Sequence, residues 1–127
     1  MKAAHRRRAR RELAELAAAL CEAGNAECSS AIPEVLGQRV HLLVDCGPRV
    51  VDGTPGESFG MHAVWTLHRL LGECESVRLD VCSVNGLPGV RASRGGDVVA
   101  VIALSGRVGD ARDVWVVADP AKLGHWQ

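Results

Sequence analysis

Val84-Asn85-Gly86-Leu87-Pro88-Gly89 is the stretch on which the fold turns. Asn-Gly between apolar residues is a strong hairpin signal, because a two-residue type I′ turn needs positive φ at both central positions. Before it, Val77, Leu79, Val81 and Ser83 alternate with Arg78, Asp80, Cys82 and Val84, the period of a strand. After it, residues 89–94 read as the returning strand and Arg94-Gly95-Gly96-Asp97 as the next turn. Residues 98–104 are almost wholly apolar, as in a strand at the sheet centre or buried on both faces. A turn over 106–110 and a strand over 113–118 complete a four-stranded meander. Asp119 before Pro120 reads as an N-cap followed by proline at the first position of a short terminal helix.

Upstream the period changes to that of helices. Leu13, Leu16, Ala17, Leu20 and Cys21 form one apolar stripe in a helix expected from about Arg10, with Gly24-Asn25 as its stop. A short second helix is expected between Ala26 and Leu36, interrupted or restarted at Pro33. Residues 40–44 read as a strand, with Val40, Leu42 and Val44 on one face and His41, Leu43 and Asp45 on the other. Turn residues then surround a short Val50-Val51 piece. Ser58 is the expected N-cap of a third helix whose stripe is Met61, Val64, Trp65, Leu67, His68 and Leu71. Helices followed by a run of strands joined by short turns give an α+β fold with an antiparallel sheet.

The bulk numbers agree with one domain. The chain has 127 residues, 47% of them hydrophobic and 24% charged, enough to bury roughly two-thirds of its surface around one core. With no Tyr and a 3% aromatic share, that core must be aliphatic. Net charge is zero but unevenly placed. Lys2, Arg6, Arg7, Arg8, Arg10 and Arg11 face no acid within residues 1–11, whereas the rest carries nine basic against fifteen acidic side chains, a net of −6. We therefore divide the chain into a basic arm, 1–11, and a single domain, 12–127. A basic arm sits badly at a helix N-terminus, where the dipole is already positive, so it is expected mostly outside the helix. Its partner would be anionic, RNA polymerase or nucleic acid.

Five cysteines, an odd count with no Cys-x-x-Cys pair, indicate reduced buried thiols in a cytoplasmic protein rather than disulfides or zinc. Glu12 and Glu15 interrupt the apolar segment that a signal peptide would need, and no run is long enough to span a bilayer. Phosphate-loop, dinucleotide, zinc-hydrolase and serine-hydrolase motifs are absent. No cofactor, metal or membrane partner is expected.

Three pieces of sequence resemble a SnoaL-like domain of the nuclear-transport-factor-2-like superfamily, most closely the C-terminal SnoaL-like extension of extracytoplasmic-function sigma factors. That extension has an Asp-Gly-Gly-Gly-Lys turn after its first strand, and Asp45-Cys46-Gly47-Pro48-Arg49 is a degenerate copy. Its Val-Asn-Gly-x-Pro-Gly hairpin is reproduced in full at Val84, Asn85, Gly86, Pro88 and Gly89. Its closing Asn-Pro-Asp-Lys-Leu keeps Pro120, Lys122 and Leu123. The resemblance covers about residue 10 to the end. It implies a cone: a curved sheet wrapped over about three helices, often with a pocket at the wide end. It also implies either a regulatory role through protein contacts or, as in other relatives, cyclase, isomerase, dehydratase or plain binding activity. Because the chain starts at Met1, the sigma domains that bind promoter DNA and polymerase are expected to be missing.

Three functions follow as expectations. The first is a stand-alone ligand-binding or regulatory module related to the sigma-factor extension. The second is a cyclase- or isomerase-type enzyme, which needs a base in an apolar pocket and donors for developing negative charge. His41, Asp45 and His68 are the candidate bases. Trp65, His68, Asp80 and Trp115 are the candidate pocket residues for a small apolar ligand. The third is a purely structural dimer with a filled cavity. A homodimer through the outer sheet face is expected, because that face carries more apolar surface than the helices can cover. The same residues have plainer roles: Asp45 as organiser of its turn, Asp80 as partner of Arg91 across the sheet, and Trp65 and Trp115 as core or interface fillers.

Overall fold

The computed structural model describes residues 2–26, 31–47, 56–72 and 77–126. Helix α1 (Lys2–Asn25) is followed by α2 (Ile32–Leu36), strand β1 (His41–Asp45), strand β2 (Glu57–Phe59) and helix α3 (Gly60–Gly72). Strands β3 (Val77–Val84), β4 (Leu87–Arg94), β5 (Asp97–Arg107) and β6 (Asp110–Val117) form the meander, and α4 (Pro120–Leu123) with a 3₁₀ turn, Gly124–Trp126, ends the chain. The Val50-Val51 piece lies outside the described residues.

The six strands form one open sheet in the order β2-β1-β6-β5-β4-β3. The meander pairs antiparallel as expected, and β5 lies within the sheet between β4 and β6. Asn85 (φ 51°) and Gly86 (φ 80°) make the left-handed turn their identities demand. Pairing shifts by one residue at Ala92/Ser93 and again at Leu104/Gly106. Such bulges bend strands and sharpen twist, which curls the sheet around α1. The result is the α+β cone expected, an unclosed curved sheet over helices.

The sheet is not wholly antiparallel. β1 lies parallel to β6, with His41 opposite Asp113 and Asp45 opposite Val117. Pairing by adjacency cannot foresee this, because the crossover that permits it comprises α3 and four strands, β2 to β5.

Three further expectations are corrected. α1 begins at Lys2, so the basic arm is helical. Arg and Ala are good helix formers, and Arg8 meets Glu12 one turn on at 3.3 Å; a few tenths of a kcal/mol of dipole repulsion per charge does not stop the helix. Ser58 is no N-cap but the middle of β2, paired with Leu42. Gly60, at φ 60°, makes the passage from strand to helix and donates to the Val40 carbonyl at 2.8 Å. The buried face of α3 is Ala63, Val64, Thr66 and Leu67, while Met61 and Trp65 point outward. Apolar residues circle more than half of this helix, so the stripe alone did not select a face. Small Ala63 and Thr66 allow close packing, and the buried Thr66 hydroxyl donates back to the His62 carbonyl at 2.7 Å.

The core lies between helices and sheet. Leu16, Leu20, Ile32, Leu36, Leu42, Leu67, Ile102 and Val114 are fully buried, each contributing about 1.5–3 kcal/mol by leaving water. Among the described residues, Ser58 Oγ is the buried side-chain polar atom left without a hydrogen bond. α1 crosses β3, β4 and β5 and ends on the sheet edge. There the Asn25 side chain accepts from Leu79 N and donates to Leu79 O, both at 2.8 Å. A second, smaller cluster, Val98, Val101 and Leu123 with Val117 and Trp126, lies on the outer face beneath α4.

Candidate functional site

β1 and β6 carry the residues that matter on the outer face. Strand alternation puts His41, Leu43 and Asp45 there, and the parallel register sets Asp113, Trp115 and Val117 beside them. The two ends of this strip are polar, and its middle is apolar.

At one end the first and last motif segments meet. Asp45 Oδ1 accepts from Gly47 N at 2.9 Å, the turn-organising role expected of it. Lys122 Nζ donates to Asp45 Oδ2 across 77 residues of sequence. Ala118 N donates to the Asp45 carbonyl at 2.7 Å. Asp119 caps α4 by accepting from Ala121 N at 3.1 Å, and Pro120 occupies the first turn. Gly47 has φ 67°, and a Cβ there would stand 2.5 Å from the Asp119 carboxyl carbon. The lysine holds the Asp45 carboxyl below its ordinary value, helped by the Gly47 N–H; Asp45 in turn raises Lys122. Leu123, 3% exposed, anchors the clasp in the outer cluster.

At the other end His41 bridges two carboxylates. Its Nε2 lies 2.6 Å from Glu57 Oε2 and its Nδ1 3.3 Å from Asp113 Oδ1. Ser105 Oγ donates to Asp113 Oδ2 and accepts from Asp113 N, both at 3.1 Å. Phe59 stacks on the imidazole with ring centres 4.4 Å apart and planes 4° from parallel. The bond to Glu57 above all, and then that to Asp113, raises the His41 pKa. Both imidazole nitrogens are thus engaged by carboxylates, which leaves neither free to take a proton from a ligand.

Between the ends, Leu43 is 39%, Trp115 48% and Phe59 61% exposed. Leu43 lies directly opposite Trp115, and His41 opposite Phe59, so the three form one patch across β2, β1 and β6.

The other sequence candidates lie apart. His41 and Asp45 share a face but not a contact, each having its own partners. His68 meets Trp65 edge-on at 5.7 Å, and Trp65 is 58% exposed on α3. Trp65 and Trp115 thus sit on different elements and roof no shared pocket among the described grooves. Asp80 stands opposite Arg91, as expected, but its ion pair is with Arg78 at 3.3 Å. Pro88 pairs opposite Ser83 at the start of β4. Gly89 is required by close packing, since a Cβ there would come within 2.8 Å of the Ile102 carbonyl oxygen. Cys21 is buried, which pushes its thiol up to about 11, and burial raises Cys82 as well. No group of three His, Cys, Asp or Glu among the described residues is placed to hold a metal.

Glu57, Phe59 and Ser105 went unpredicted. Glu57-Ser58-Phe59 does alternate polar and apolar about a buried serine, but three residues are too few for a period to be read.

A comparison with solved structures finds the Mycobacterium tuberculosis extracytoplasmic function sigma factor SigJ, at a TM-score of 0.59 and 19% identity. The match covers 98% of this chain and 51% of that one, so the chain spans about half the length of SigJ. At this identity the likeness is one of fold. No family model matches, and no curated protein does.

Proposed function

We propose that this chain is a SnoaL-like regulatory module, related to sigma-factor extensions, that works by binding a sigma-factor or RNA-polymerase surface with its outer face. The clasp carries this reading. Asp45 and Lys122 come from the two motif segments that resemble the sigma-factor extension, and they meet at one surface point. The site faces outward, and the fully buried interior residues are aliphatic, which favours recognition over catalysis. The likeness in fold to SigJ supports the same reading. In the absence of that partner, the patch of Leu43, Phe59 and Trp115 takes a second copy of the chain, as exposed apolar patches of this kind do.

The test is reconstitution. The purified chain is added to an extracytoplasmic-function sigma factor and core polymerase from the same organism. Co-elution and a changed run-off transcript yield support the proposal, and both effects weaken in Asp45→Asn and Lys122→Met. Absence of a complex and an unaltered yield would sink it.

A further inference from the structure

A second surface lies along the N-terminal half of α1, beside the core residues Leu13 and Leu104. It is a groove of about 820 Å3 between the first turns of α1 and the β5–β6 hairpin. Arg6, Arg7 and Arg10 line it from α1, and Arg107 and Arg112 from the hairpin. The acids on its rim are Glu12 and Asp110. Both are already engaged, Glu12 by Arg8 at 3.3 Å and Asp110 by Arg39 at 2.8 Å and Arg112 at 3.5 Å. Arg6, Arg7 and Arg107 have no carboxylate within ion-pairing distance among the described residues.

The placement is unfavourable for the isolated helix. Arg6 and Arg10 are like charges one turn apart, and both add to the positive end of the helix dipole. An anion in the groove would relieve both. Arg10 is meanwhile fixed by donating to the Gly86 carbonyl at 2.8 Å, which ties α1 to the β3–β4 turn beside Leu87.

The groove is also apolar. Its floor includes Ala9, Leu13, Leu87 and Leu104, and Leu87 is 48% exposed. That combination discriminates between polyanions. Nucleic-acid backbones need the arginines but not the leucines. Single strands gain much of their affinity by stacking bases on aromatic rings, and no aromatic residue lines the groove. An acidic polypeptide with aliphatic side chains uses both features, its carboxylates on the arginines and its side chains on the floor.

From this we infer that the groove between α1 and the β5–β6 hairpin is a docking site for an acidic, leucine-bearing segment of a partner protein. This does not rest on the sigma-related reading, which concerns the outer sheet face.

Fluorescence anisotropy with the full chain tests it, using three labelled probes matched in net charge: an alternating Glu-Leu peptide, an alternating Glu-Ser peptide and oligothymidylate. The Glu-Leu peptide should bind about tenfold tighter than the Glu-Ser peptide, as burial of an aliphatic side chain implies. Binding should weaken with salt. Exposed Arg6→Ala with Arg107→Ala should cost about tenfold or more, whereas Arg91→Ala with Arg94→Ala, a charge-matched pair outside the groove, should cost nothing. Leu87→Ser should erase the preference for Glu-Leu. Equal binding of the two peptides, equal or tighter binding of oligothymidylate, no binding of any probe, or indifference to the arginine pair would each overturn the proposal.

Discussion

Lys122 donates to Asp45 from the far end of the chain, and so the last helix is tied to the first strand. The pair is largely solvated, with side-chain exposures of 58% for Lys122 and 25% for Asp45, so water screens it and its contribution to stability is modest. Asp45→Asn keeps an acceptor for Gly47 N but loses the charge. The wild type should therefore melt somewhat higher than the variant at neutral pH. The Asp45 pKa is depressed in the folded state, so this advantage is complete above the ordinary value of 3.8. It should vanish as pH falls through the depressed value. Paired thermal melts across the acid range check the sign; a gap that widened on acidification would contradict the assignment.

His41 should behave in the opposite sense. Its pKa is raised by Glu57 first and Asp113 second. The stabilisation it provides is full below the ordinary histidine value of 6.5 and is lost as pH rises through the raised folded value. Proton NMR titration of the imidazole should show the raised midpoint. Glu57→Gln should lower that midpoint more than Asp113→Asn does.

Two glycines of positive φ should differ in cost. At Gly86 a Cβ meets nothing within 4 Å, so Gly86→Ala costs only the strained conformation, about 1 kcal/mol. At Gly47 a Cβ runs into Asp119. Moving that carboxylate also weakens the cap on α4, so Gly47→Ala should cost about 2–4 kcal/mol. Denaturant melts of the two variants would show the difference.

The outer patch offers a test of self-association. Sedimentation of the wild type should give a dimer, and Trp115→Glu, a change at a half-exposed position, should give a folded monomer. A wild type that stays monomeric at high concentration would remove the second copy from this face.

In the core, Leu20→Ala should cost about 2–5 kcal/mol through the cavity it leaves, since Leu20 is fully buried under the sheet. Calorimetry or urea melts would measure it.

What could be read from the residues was local. Asn85-Gly86 needs a left-handed turn wherever it occurs, and residues 98–104 are too apolar to lie at an edge. Asp119-Pro120 caps a helix by its own chemistry. The parallel contact of β1 with β6 was not legible, because nothing in either segment names a partner so distant in sequence. The same distance hid the site: Asp45 was visible as a turn residue, but its lysine was visible only as part of another motif. His41 was on the right face with the wrong companion, since Glu57 reaches it through a three-residue strand. The helical arm is not legible from the dipole argument, because the salt bridge of Arg8 to Glu12 and the anchor of Arg10 on Gly86 offset the unfavourable charges at the N-terminus.

Asn25 has a last consequence. β3 is a rim of the open sheet, where bare backbone groups would template a foreign strand. The amide of Asn25 already occupies the N–H and C=O of Leu79, mimicking an intruder's pairing at mid-rim. A single side chain at the tail of α1 thus closes that point of the rim to a further strand, and Asn25→Ala would leave it open.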